Sequence, residues 1–180
     1  MTMPRTNRPK EAQPMVGWFD PRQLMSTGIE VAVSTVLGRH SDHRLIEAVI
    51  APKHDPPYDY TRHYKEPDTY EKLVPDETRG ERREIWIDYV ADTGDGWDST
   101  YAVASALARP AMHAGTKSGS VETQRGDVLI MGGDEVYPTA NRKEYKRRLL
   151  LPFETALKEM KQGNPHVYAI PGNHDWYDSL

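Results

Sequence analysis

Five residues stand out by type and spacing: Asp92, Asp134, Tyr137, Asn173 and His174. Each lies just beyond a run rich in β-branched or aromatic residues. The steps from Asp92 to Asp134 and from Asp134 to His174 are 42 and 40 residues. Together they offer two carboxylates, a phenol, an amide oxygen and an imidazole, a set suited to hard or borderline divalent metals. The chain has no cysteine, which removes thiolate ligands, a disulfide framework and a cysteine nucleophile from consideration. A metal site is the direct reading. The plainer alternative makes Asp92, Asp134 and Asn173 ordinary turn and cap residues.

The elements that must position these residues follow from the pattern around them. Ile85 to Asp92 reads as a strand, a glycine-rich turn follows, and Asp98 or Ser99 caps a helix carrying Val103, Ala106 and Leu107 up to Pro110. Thr116 to Ser120 reads as loop. Asp127 to Met131 is a second strand, Gly132-Gly133-Asp134 a turn, and a helix starts near Asn141, is broken or kinked at Pro152 and stops at Gly163. His166 to Ile170 is a third strand, closed by Pro171-Gly172. Strands separated by helices call for a parallel sheet, and its ligands bind outside the carboxyl ends of the strands, where the five residues fall. The fold class is α/β.

A nucleotide site built on backbone amides is the other use of such a crevice. Gly94-Asp95-Gly96-Trp97-Asp98-Ser99 lacks the third glycine of a dinucleotide fingerprint, and Asp92, Asp95 and Asp98 would repel a pyrophosphate. No Walker A sequence is present. Phosphate bound here would need metal ions to carry the attraction.

At this point the residues resemble the calcineurin-like metallophosphoesterases, closest to the purple acid phosphatase variant of their motifs. That variant reads Asp-x-Gly, Gly-Asp-x-x-Tyr and Gly-Asn-His-Asp/Glu. Here stand Asp92-Thr93-Gly94, Gly133-Asp134-Glu135-Val136-Tyr137 and Gly172-Asn173-His174-Asp175. The resemblance covers residues 85–180. It implies a parallel βαβαβ half of an αββα sandwich, and two metal ions (Mn, Fe, Zn or Mg). Asp92 would bind the first ion, Asp134 bridge both, Asn173 bind the second and Tyr137 take the tyrosinate position. His174 would contact the substrate phosphate and assist the leaving group, oriented by Asp175. The implied reaction is hydrolysis of a phosphomonoester or phosphodiester, small or protein-borne, by a hydroxide activated between two metals. The family completes its site with later histidines that have no counterpart before Leu180. The expectation is therefore an amino-terminal portion with about half the ligands, weakly active by itself and missing the carboxyl-terminal half of its own domain.

The remaining residues have plainer readings beside functional ones. Asp95 is a turn residue, or a replacement ligand should Asp92 point away. Tyr137 precedes Pro138 and could instead pack its ring on the sheet. Arg142, Lys143, Lys146, Arg147 and Arg148 read as a solvated helix face before a steering patch. Trp176 and Tyr177 could wall a pocket or cover the core edge, and His113 and His166 read as structural or exposed.

The first 84 residues carry no such motifs. Residues 1–16 read as a disordered leader, and residues 17–50 as a helical extension. In the extension, Asp20-Pro21 starts a helix to about Leu37, ended by Gly38, and a shorter helix follows Ser41; both are read as packing elements. Residues 51–84 are rich in proline and charge. They read as a strap or linker that cannot bury a core, with Tyr58, Tyr60, Tyr64 and Tyr70 able to dock it on a surface. A non-catalytic, partner-binding module with a vestigial metal site is the rival reading. Lys and Arg number 23 against 27 Asp and Glu, so no nucleic-acid surface is evident, and no run approaches a membrane span. A soluble, cytoplasmic protein is the expectation.

Overall fold

The computed structural model describes residues 9–38, 59–65, 74–81, 84–161 and 163–175. The chain divides into two compact units, one formed by Met1–Val31 with Trp86–Leu180 and the other by Ala32–Ile85. The first unit is mixed α/β, as expected. Its strands β3 (Ile87–Val90), β6 (Val128–Met131) and β7 (His166–Ala169) form a parallel sheet in that spatial order. Ile87 pairs with Val128, and Val128 with His166, so the three carboxyl ends lie side by side.

The core forms where helices α2 (Trp97–Leu107) and α4 (Leu151–Glu159), with the π-helical stretch Tyr145–Leu150 that links the short helix α3 (Arg142–Glu144) to α4, meet the central strand. Trp97, Tyr101, Ala104 and Ala108 recur at helical spacing on α2 and pack with Leu129, Met131, Leu149, Phe153 and Ala156. The helix starts earlier than its sequence suggests. Gly96 occupies the N-cap position with no side-chain cap, so Asp98 and Ser99 lie inside the first turn. This shift aims Trp97 inward and leaves Val103 exposed.

Asn141 caps α3 by accepting hydrogen bonds from the amides of Lys143 and Glu144. The π-helical widening leads into Pro152, which is buried in the first turn of α4, where its missing N–H costs little. The chain then reverses at Lys161, whose φ of 51° is left-handed, before Gly163 is reached. Between α2 and β6 lies an antiparallel hairpin, β4 (Ala111–Thr116) with β5 (Gly119–Gln124), whose turn at Lys117–Ser118 falls within the Thr116–Ser120 segment expected as loop. Its residues are mostly exposed on both faces, so no apolar alternation marks it.

Residues 9–16, expected within a disordered leader, are held within this unit. The Val16 amide donates to the Asp95 carbonyl, the Trp97 amide donates to the Gln13 carbonyl, and Val16 is buried. Helix α1 (Pro21–Gly38) begins at Asp20, whose carboxylate accepts from the Arg22 amide. It is expected to be a packing element, yet its Met25, Ile29 and Val33, four residues apart, are all at least 49% exposed. The short helix expected after Ser41, together with Tyr58 and Tyr70, lies outside the described residues. In the second unit β1 (Tyr64–Lys65) pairs antiparallel with β2 (Val74–Pro75), flanked by a bridge between Arg62 and Glu81. Among the described residues no helix is long and apolar enough to cross a membrane.

Candidate metal centre

Each of the first two loops turns on an aspartate in the left-handed region, Asp92 at φ 54° and Asp134 at φ 52°. Aspartate tolerates this conformation better than most residues, but it is sparsely populated, and such outliers concentrate at functional sites. Both follow their strands within a few residues, which places both carboxylates beyond the sheet's carboxyl edge.

The loops are bound to one another by their backbones. The Asp92 amide donates to the Gly133 carbonyl, and the Tyr137 amide to the Gly94 carbonyl. Gly94 has φ 72°, and a Cβ there would collide with the Glu135 carbonyl, so only glycine allows the first loop to lie this close to the second. On the other side, the His174 amide donates to Asp134 Oδ1 at 2.9 Å, and a Cβ on Gly172 would strike that same carboxylate. Asn173 thus sits between two residues packed on Asp134, with its own side chain exposed.

Tyr137 Oη lies 2.7 Å from Asp92 Oδ1 and 3.1 Å from Asp134 Oδ2. Burial and these carboxylates, first Asp92 and then Asp134, push the phenol well above its ordinary range. Two carboxylates therefore converge on one phenolic oxygen, whose single hydrogen can serve only one of them at a time. By chemistry Asp92, Asp134, Tyr137 and Asn173 are an all-oxygen donor set of the kind that suits a hard or borderline cation. Among the described residues no group of three or more His, Cys, Asp or Glu side chains gathers to hold a metal.

His174 packs its ring against Tyr137, with centroids 4.6 Å apart, and its Nδ1 lies 2.7 Å from the Pro138 carbonyl. A carbonyl can only accept, so Nδ1 carries the hydrogen. Asp175, expected to orient His174, has a different set of partners. Its carboxylate accepts from the amides of Gly172 and Glu135 and from the Tyr145 hydroxyl at 2.8 Å. The reason is burial: at 5% exposure the carboxylate needs several donors, and the adjacent backbone supplies them.

Nothing in the sequence marks Glu135 or Tyr145. Glu135 fills an unspecified position of its motif, is 5% exposed and meets Asp175 with one buried oxygen, Oε1, left without a partner. Burial, then the neighbouring Asp175, push Glu135 up to about 8. Burial acts on Asp175 in the same direction, but hydrogen bonds from Glu135, Gly172 and Tyr145 outweigh it and hold Asp175 below the ordinary range. Two carboxyls in contact share one proton, and the partner with more hydrogen-bond donors, Asp175, keeps the charge.

Asp95 is occupied elsewhere, its carboxylate accepting from Ser99 Oγ at 2.6 Å. Arg148, grouped with the solvated charges, is instead a tie: it pairs with Glu144 and donates to the carbonyls of Pro14 and Asp95. Trp18 packs edge-on against Tyr137, centroids 5.2 Å apart. Exposed His113 faces Glu122, and half-buried His166 is held below its ordinary range by burial. Trp176 and Tyr177 lie outside the described residues.

A family model for calcineurin-like phosphoesterases matches residues 85–180, just over half of the chain and the whole of the three-strand region that carries the site. Neither the curated proteins nor the solved structures yield a match. With the motif order, the parallel sheet and the loop geometry in agreement, the chain belongs to the calcineurin-like phosphoesterases, a family of hydrolases.

Proposed function

We propose that this protein is a metal-dependent phosphoesterase whose Asp92, Asp134, Tyr137 and Asn173 hold a dinuclear centre, in the manner of the purple acid phosphatase variant of the family. The observation that carries this reading is the convergence of Asp92 and Asp134 on the Tyr137 hydroxyl. Bound divalent or trivalent ions would supply Lewis-acid charge and an acidified water. The chain's own residues do the rest. The left-handed turns at Asp92 and Asp134 aim both side chains beyond the sheet edge, and the Tyr137 hydroxyl and the His174 amide hold their carboxylates in place. Asp134, held through Oδ1 by the His174 amide, keeps the second and third loops in register. His174, its Nδ1 hydrogen committed to Pro138, would present Nε2 to the phosphoryl group and aid departure of the leaving oxygen. Asp175 acts one step removed, as a positioning residue that fixes the loop carrying Asn173 and His174.

The test is Mn²⁺-dependent hydrolysis of a chromogenic phosphomonoester and phosphodiester by the protein. Removing an acid–base group of this kind costs on the order of 10²-fold, so His174→Ala should lower turnover by about that factor, and Asp134→Asn should remove metal binding with activity. Turnover unchanged by either substitution would sink the assignment.

A further inference from the structure

The amino-terminal segment ends beside the metal-ligating loops, and it is built in. The Val16 and Trp97 amides tie residues 13–16 to the loop after β3, and Arg148 donates to the Pro14 and Asp95 carbonyls together. A Cβ on Gly96 would stand 2.7 Å from Met15 Cα, so the loop accepts the segment only because it has glycine there. This anchoring delivers Trp18 to the ring of Tyr137. Tyr137 in turn reaches both aspartates through its hydroxyl and touches His174 with its ring. Trp18 nevertheless remains 40% exposed, although a large aromatic ring placed only to pin the segment would gain most by full burial.

We propose that Trp18 is a specificity-determining residue, the wall on which the organic part of the phosphoester packs, and that it selects esters of flat aromatic alcohols. This rests on the phosphoesterase reading above. Because the Tyr137 ring meets both Trp18 and His174 and its hydroxyl meets both carboxylates, a phosphoester held near Asp92, Asp134 and His174 would have its organic part within reach of the exposed indole. Indole offers a large, rigid apolar surface and prefers other rings in edge or offset contact. Saturated, hydrated alcohols gain little from it.

The experiment is calorimetric titration of the whole protein with phenylphosphonate and with methylphosphonate in the presence of Mn²⁺. Wild type should bind the phenyl compound about fivefold more tightly, the scale of one aromatic contact. Trp18→Ala should erase the preference while leaving methylphosphonate binding unchanged, and Trp18→Phe should keep most of it. A preference that survives Trp18→Ala, or methylphosphonate affinity that falls in step with phenylphosphonate, overturns the proposal; the second result would mean a purely structural Trp18. Asp134→Asn separates the two readings. Phosphonate binding indifferent to it strikes the phosphoesterase assignment, whereas Asp134-dependent binding with no phenyl preference strikes Trp18 alone. Failure of wild type to bind either compound overturns both.

Discussion

Replacing Glu135 by Gln should make the metal-free protein more stable at pH 8 and nearly unchanged at pH 5. Glu135 is 5% exposed, leaves Oε1 unpaired and faces Asp175, which is already served by two amides and the Tyr145 hydroxyl. The shared proton therefore resides on Glu135, which is pushed up to about 8. In the unfolded chain a glutamate titrates near 4.3, so between about 4.3 and 8 the folded state holds a proton that the unfolded state has lost. Stability from this group is fully present below that window and declines as pH rises through it, at up to about 1.4 kcal/mol per pH unit. Asp175 acts in the opposite sense and lower down: its contribution is complete above the ordinary aspartate range and is lost as pH falls through its depressed value. Across pH 5 to 8 the Glu135 effect has a ceiling of about 4 kcal/mol, reduced by whatever water reaches the pair when it ionises. Gln keeps the volume and can donate to Asp175 at any pH. Urea unfolding in EDTA at pH 5, 6, 7 and 8 measures the difference between the two proteins, which cancels the contribution of every titrating group they share. Parallel stability curves, or a Gln variant less stable at pH 8, would refute the reasoning.

Two further perturbations test the loop geometry. Gly94→Ala places a Cβ against the Glu135 carbonyl in a left-handed conformation, and should destabilise the protein by roughly 1–3 kcal/mol in the same urea assay, with Mn²⁺ affinity falling alongside. Arg148→Ala removes the tie to Pro14 and Asp95, so the Val16 and Trp97 amides should exchange with solvent at least about tenfold faster while core amides on β6 do not change, as read by native-state hydrogen exchange.

How far the sequence reveals this fold depends on whether each element's signal is local. The runs of β-branched residues in β3, β6 and β7 are local signals, and the parallel sheet follows from them. The β4–β5 hairpin has none, because its exposed residues alternate nothing apolar against polar, and its pairing is made by backbone and a two-residue turn. The start of α2 was misplaced for a related reason. Asp98 and Ser99 are good caps by type, but the deep burial of Trp97 fixes the helix start at least two residues earlier, and packing of an indole outweighs a cap worth about 1 kcal/mol.

The site shows the same division. Asp92, Asp134, Tyr137, Asn173 and His174 are legible because turn residues after strands are separated by βαβ-sized intervals, and the structure brings the first three onto one oxygen and packs the last against them. Glu135, Tyr145 and Trp18 are not legible, since nothing about an isolated glutamate, tyrosine or tryptophan says which loop it will meet across 30 to 120 residues of chain. Yet these are the groups that give the loops their fixed relation. Asp175 illustrates the consequence: its motif position suggests a partner for the neighbouring His174, but burial obliges it to collect donors from the second loop and from the π-helical stretch. The local motif identifies the chemistry, and the long-range hydrogen bonds around Asp175 set the separation at which the second and third loops can perform it. A substitution at Tyr145 or Glu135 should consequently act on Asp134 and Asn173 together, through the spacing of their loops, rather than on either ligand alone.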